Sequence, residues 1–372
     1  MSDQYLFPHR LTRRDFLWAA AGTAAGLAAA GTLPAADKGG TTRVGEGRWT
    51  YTLDDAWGTL PAGMRYGFGC AIVVDGQDKI YVTSRSTNPC VAVFDRDGKL
   101  LETWANEFTE KVDFTTKQYA DTAHGLYWSR EPGGEFFYWT ENKSTNKTGP
   151  KFGSRVYKTD LKGKVLYTLG PGVKETSTSA PFDFVSPTDV AVGPNGDVYV
   201  VDGYGSQLVH RFDKNFKLVK TIGGRSPKED DKKPPADRTH GKFNTVHGVW
   251  VNTLKKEPEL YLADRVNDRI EVYSLDLEYK RTIPGVRKPC CFYQHAGHLY
   301  VPELGARVSI LDADDKYIAR LGDGADVKAA DIKKHPDKFA TPHALTVDSR
   351  GDLYVIEWLP FGRPRKFRHT PA

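Results

Sequence analysis

Sulfur is scarce in this chain of 372 residues, which holds four Cys and two Met. The cysteines, Cys70, Cys90, Cys290 and Cys291, fall at irregular positions and form no C-x-x-C pair, which excludes a disulfide framework or a dithiol motif. An excess of one charge is missing too. Lys plus Arg number 52 against 47 Asp plus Glu, a net +5 spread along the chain. Neither nucleic acid nor an anionic membrane is therefore an expected partner. Past residue 31 no segment is apolar enough to cross a membrane. The 39% hydrophobic and 27% charged content also lacks the bias of disordered or collagen-like chains. Aromatic residues (12%) and 36 Gly are plentiful, which favours strands and turns. The length allows two domains or one large β fold.

The one apolar run is at the start. Residues 11–17 read Leu-Thr-Arg-Arg-Asp-Phe-Leu, and Ala, Gly, Leu and Trp follow to about residue 31. A basic start, an apolar stretch and small residues make an export signal. Arg13-Arg14 followed by Phe16-Leu17 resembles the twin-arginine signal, with cleavage expected within Ala30–Ala36. Residues 1–36 are then a leader, and 37–372 a mature protein that works in the periplasm or is secreted. The run is short and rich in Ala and Gly for a span of ~20 residues, so no stable anchor is expected once the signal is removed.

The organising feature is a repeat. A hydrophobic-Tyr-hydrophobic triplet recurs around Tyr81, Tyr138, Tyr199, Tyr261, Tyr300 and Tyr354, at steps of 57, 61, 62, 39 and 54 residues. A short apolar strand and a turn such as Pro194-Asn195-Gly196-Asp197 precede most triplets. A third strand ending in an acidic turn follows, as in His210-Arg211-Phe212-Asp213, and then a fourth. Each unit reads as four short antiparallel strands. Six such units predict an all-β, six-bladed β-propeller. The sixth unit supplies three strands. Arg48–Leu53 alternates correctly to be its fourth, which would close the ring and remove open sheet edges. The polar stretch 225–242 reads as a solvated loop between blades.

Aligning the blades on their first strands puts Cys70, His124, Thr188, His247, Pro289 or Cys290, and His343 at the channel tip. Three of the ten His thus share one repeat position, in every second blade. Alternate blades of a six-fold ring lie about 120° apart, so the three imidazoles converge. That suits a three-His site for Zn2+ or another divalent transition metal, with an open coordination position. Alternatively, the three rings hydrogen-bond to each other and to water. Three residues past each Tyr lie Ser84, Glu141, Asp202, Asp264, Glu303 and Glu357, expected to accept backbone N–H groups from the neighbouring blade. Just beyond them Arg85, Tyr204 and Arg265 depart from the repeat. An Arg suits a substrate carboxylate. A Tyr beside a metal suits proton transfer. Otherwise Arg265 pairs with an acid and Tyr204 packs on a strand. Cys70 and Cys290 either pair, approach the metal, or are buried as small apolar side chains.

These residues carry a resemblance. The repeat is similar to NHL-type propellers. Arg85, Ala-His124-Gly, Asp-Gly-Tyr204, Val-His247-Gly, Ala-Asp-Arg265-Val-Asn-Asp-Arg-Ile and Pro-His343 resemble the lyase domain of peptidylglycine α-amidating enzymes, over nearly the whole mature chain. The resemblance implies zinc on the three His, Tyr204 as base, and both Arg at the substrate. The implied reaction splits a peptidyl-α-hydroxyglycine into a peptide amide and glyoxylate. Thr341 replaces the family's Met. Gly205 replaces a disulfide Cys. Ala344 replaces the Asp linked to a structural calcium, which puts Ca2+ in doubt. The expected protein is a monomeric, exported, metal-dependent carbon–nitrogen lyase acting on a small-molecule or peptide substrate. The alternative is a non-catalytic NHL propeller that binds a ligand or partner at its top face. A lactonase-type propeller, with Glu, Asn and Asp around calcium, does not fit three His.

Overall fold

The computed structural model describes residues 41–105, 116–145 and 152–371. The leader lies outside the described residues. Among the described residues the chain is strand throughout, apart from one helix, Thr116–Thr122, and short 3-10 turns. Six sheets follow one another, each starting from an inner strand: Phe68–Val74, Ala123–Glu131, Asp189–Val192, Val246–Asn252, Tyr293–His295 and Pro342–Val347. These are blades 1 to 6 of the propeller the repeat predicts. No helix among the described residues is long and apolar enough to cross a membrane.

The repeated triplet exists because its Tyr fills the space between blades. All six triplet tyrosines are buried, and those of blades 1 and 6 donate to Asp75 and Asp348 at their own hairpins. The acidic turns have a local cause as well. The Asp95, Asp160, Asp213 and Asp312 side chains each accept the N–H groups two and four residues on, closing the hairpin.

Blade 6 is closed by the N-terminal end of the described chain. Tyr51–Asp54 pairs antiparallel with Arg365–His369, Tyr51 opposite His369. The closing strand is shorter than Arg48–Leu53, because Gly47–Trp49 forms a 3-10 turn, and Arg43–Val44 adds one further pairing outside it. Residues 225–242 do join blades 3 and 4, but they are more than a solvated run. The fully buried Arg269 donates to the carbonyls of Arg238, Thr239 and Lys242, and Asp230 is buried within the loop.

Closure places a large aromatic side chain at the seam: Tyr51 is 1% exposed and its hydroxyl meets that of Tyr300. Tyr51→Ala is expected to destabilise the propeller by roughly 3–5 kcal/mol, the cost of emptying a buried aromatic position. Denaturant unfolding measures it; a loss below about 1 kcal/mol would show that the seam contributes little.

Candidate metal centre

The three tip histidines meet. Their ring centroids are 4.7, 4.9 and 5.0 Å apart, close to an equilateral triangle. A local irregularity aims them. The pairing of each His-bearing inner strand shifts register at the His, between Ala123 and Leu126, Val246 and Gly248, and Pro342 and Ala344. A β-bulge of this kind turns a side chain out of the alternating pattern, here into the channel. Glycine makes room behind His124. A Cβ on Gly125 would lie 2.6 Å from the Thr188 carbonyl oxygen.

Hydrogen bonds then set the tautomers. His124 Nδ1 lies 2.6 Å from Thr188 O, His247 Nδ1 2.8 Å from Cys290 O, and His343 Nδ1 2.7 Å from Cys70 O. A carbonyl can only accept, so each Nδ1 carries the proton and each Nε2 presents a lone pair. The His124 and His247 Nε2 atoms are 3.2 Å apart, two acceptors facing each other, and the buried His343 Nε2 has no hydrogen-bond partner among the described residues. Tetrahedral zinc with Zn–N of about 2.0–2.1 Å would hold its nitrogens roughly 3.3 Å apart. The donor set therefore fits a divalent transition ion, which could be held by His124, His247 and His343.

Burial, helped by neighbouring imidazoles and the Arg85 and Arg265 charges, holds the His124 and His247 rings well below their ordinary pKa. Burial takes His343 down to about 3. All three are neutral at pH 7, as a metal ligand must be.

One end of this triangle opens to a polar mouth. The Tyr204 hydroxyl lies 3.2 Å from His247 Nε2 and accepts from Arg265 Nη1 at 3.0 Å. Arg265 is buried and stacks on the Tyr204 ring, and among the described residues it forms no ion pair; Tyr204 packs edge-on against the strand-borne rings of His124 and His247. The Asp202 carboxylate pins the turn that carries Tyr204 by accepting Val185 N, Ser186 N and the Ser206 hydroxyl. Gly205 is needed there, since a Cβ would fall 2.5 Å from Asp202 Oδ1. Arg85 donates to Ala123 O and Asn142 Oδ1, and its guanidinium lies 4.9 Å from the Trp358 ring centroid. Trp358 in turn packs 5.0 Å from His343. The structure thus brings His124, His247, His343, Tyr204 and Arg265 into contact, with Arg85 joined to them through Trp358.

The acid column has a structural role, with one correction. Asp202, Asp264, Glu303 and Glu357 accept backbone N–H groups of the segment leading into their own blade, not of the neighbouring blade. Glu141 differs, accepting the Thr122 and Tyr157 hydroxyls. The cysteines are free. Cys70 and Cys290 do not pair. Each lies beside an arginine, Arg85 and Arg265 respectively, yet burial still pushes both thiols up to about 11, so they remain protonated. Asn142 and Trp358 escaped the sequence reading, although the signal was there. Both directly follow the acid column, as Arg85 and Arg265 do.

Buried neutral imidazoles couple stability to pH. The unfolded chain takes up protons near pH 6.5 that the folded rings refuse, so stability is full above that pH and falls below it. The slope is up to roughly 1.4 kcal/mol per pH unit per ring. Denaturant unfolding of the metal-free protein between pH 7.5 and 5 should show the fall, and His343→Gln should reduce the slope by about one proton. An unchanged slope would contradict the burial of a neutral ring at this position.

Comparison with known proteins agrees with this fold. The NHL repeat model matches residues 184–212. The chain is 29% identical to NHL repeat-containing protein 3 of Homo sapiens over 82% of this chain and 81% of that one. It is 25% identical to a probable peptidyl-alpha-hydroxyglycine alpha-amidating lyase of Caenorhabditis elegans, over 73% of this chain and 68% of that one. A gluconolactonase from Xanthomonas campestris shares the fold alone, with a TM-score of 0.55 at 11% identity over 86% and 90% of the two chains. The chain is a six-bladed β-propeller with an NHL repeat, similar in sequence to NHL repeat-containing protein 3 and more distantly to an amidating lyase.

Proposed function

We propose that this propeller is an exported, metal-dependent lyase that cleaves the C–N bond of an N-acyl-α-hydroxyglycine or a similar carbinolamide. One observation carries the reading: three tip imidazoles converge, and the Nε2 of one of them, His247, stands within hydrogen-bond reach of a Tyr–Arg pair. The amidating lyase relative supports the reaction class. The Arg13-Arg14 leader supports export to the periplasm or medium.

The chemistry needs one proton moved from the carbinol oxygen to the amide nitrogen while the C–N bond breaks. The products are an amide and an aldehyde, glyoxylate where the substrate carries a carboxylate. A Zn2+ or similar ion on His124, His247 and His343 would supply a Lewis acid for the substrate oxygen. The Tyr204 hydroxyl, an acceptor toward Arg265 and a donor toward His247, is placed to take the carbinol proton and return it to the leaving nitrogen. The Arg265 charge stabilises the anionic state of that relay. Arg85, held planar against Trp358 and fixed by Asn142, offers a fork to the substrate carboxylate.

Two variants test this. The purified protein should bind one equivalent of Zn2+, and His247→Ala should weaken binding at least about a hundredfold, beyond the cost of losing an outer partner. Calorimetric titration measures it; undiminished binding would remove the tripod. Tyr204→Phe should keep the metal and lower glyoxylate release from an N-acyl-α-hydroxyglycine by about 100-fold or more. Unchanged turnover would remove Tyr204 from the reaction. A metal-loaded wild type with no turnover would favour the non-catalytic binding propeller.

A further inference from the structure

Below the histidines, away from Tyr204 and both arginines, the channel widens into a well of about 770 Å3. Its closed end is the ring of six tip residues, including all three His. Immediately beneath the tips the wall is nearly all small: Ala71, Gly125, Cys291 and Ala344. The fifth residue lining the well at that level is Asp189. Further down, Tyr127, Trp250 and Tyr293 form an aromatic arc across the channel, with ring centroids 5.4 and 5.7 Å apart.

Asp189 is anomalous. Its Oδ2 accepts Val249 N at 3.1 Å, yet among the described residues it forms no ion pair. Asp189 is part-buried and lines the well, and a carboxylate in so enclosed a space is ordinarily paired, because desolvation of the charge is otherwise uncompensated. Three acids of the repeated column have such partners, Asp264 with Arg269, Glu303 with Arg307 and Glu357 with Arg363, while Asp202 has two backbone N–H groups and a hydroxyl in place of one. Burial raises the Asp189 carboxyl to about 7. The cations nearer the far opening do not supply the missing partner. Arg130 is bound to Glu135 and stacks on Trp128, and Lys214 lines only the outer part of the well.

We propose that the well is a binding site for a small organic cation, an amine or methylated ammonium, held between the Asp189 carboxylate and the Tyr127–Trp250–Tyr293 arc. A carboxylate supplies the counter-charge. Aromatic faces supply cation–π attraction, and the enclosure strengthens both by excluding water. The ring of small residues leaves room for a methylated head. The site adjoins the tripod on the side away from the mouth where Tyr204 stands, and uses none of the three His as a ligand-binding group.

The test titrates the full-length protein with choline, tetramethylammonium and the neutral choline isostere 3,3-dimethylbutan-1-ol, followed by tryptophan fluorescence and calorimetry. Saturable binding of both cations is expected, with the alcohol at least about tenfold weaker. Asp189→Asn should weaken choline at least about tenfold and leave the alcohol unchanged; Trp250→Leu should weaken choline without removing the carboxylate. Zinc stoichiometry and the melting curve of Asp189→Asn are measured alongside. An unchanged zinc equivalent separates failure of the well from failure of the tripod. Equal affinity for choline and the alcohol, no saturable binding, or choline binding insensitive to Asp189→Asn would overturn the proposal. So would stoichiometric Ca2+ binding that displaces choline and is lost in Asp189→Asn.

Discussion

The structure turns on three hydrogen bonds from Nδ1 of a tip His to the tip carbonyl of the next blade. Each does two things. It ties an even blade to the odd blade after it, at Thr188, Cys290 and Cys70. It also fixes the ring tautomer, so that the opposite nitrogen must face the axis with its lone pair. The same contact that closes the propeller at its narrow end therefore builds the site. Because His alternates with non-His tips, every imidazole finds a backbone acceptor rather than a second imidazole.

This arrangement depends on ring closure. Three side chains on separate blades can bring their ligand nitrogens within 4.8 Å of one another only if all six blades keep their angle. The seam between Tyr51–Asp54 and Arg365–His369 supplies that constraint. In blades 3 to 6 the acid column does the equivalent job locally, fastening the segment that leads into the tip. Asp202 shows the connection most directly. It fastens blade 3's lead-in and holds the turn that delivers Tyr204 to His247.

Much of this was legible in the sequence, because propellers repeat. The Tyr triplets gave blade number and strand order, and phase alone singled out His124, His247 and His343. Non-repetitive features were harder to read. The bulges that aim the histidines leave no compositional mark apart from Gly125 and Gly248. The Gly47–Trp49 turn interrupts a stretch that alternates perfectly well as strand. Asp189 looked like an ordinary strand residue, because its meaning lies in the partner it lacks. Trp358 was hidden for the opposite reason. A Trp next to an acid reads as core, and only the structure shows its face under Arg85 and its ring packed, tilted, beside His343.

The energetics bear on what kind of propeller this is. An unsatisfied buried acceptor costs about 1–3 kcal/mol, and two neutral acceptors pointing at one another add repulsion. A propeller that only displayed a binding face would be more stable with apolar side chains at these tips, as Cys70 is in blade 1. The chain instead folds with three lone pairs aimed at one point, a local conflict of the kind that marks functional sites. A cation at that point would convert every unfavourable term into a favourable one, since repelling lone pairs become ligands and the carbonyl-bound Nδ1–H groups raise their basicity. The polar mouth adds the second half of the argument. A purely structural ion would need no Tyr hydroxyl within reach of His247 and no buried, acid-free arginine behind it. On the proposed reading the tripod and the Tyr204–Arg265 pair form one device, in which the ion would activate an oxygen and the phenol would carry its proton.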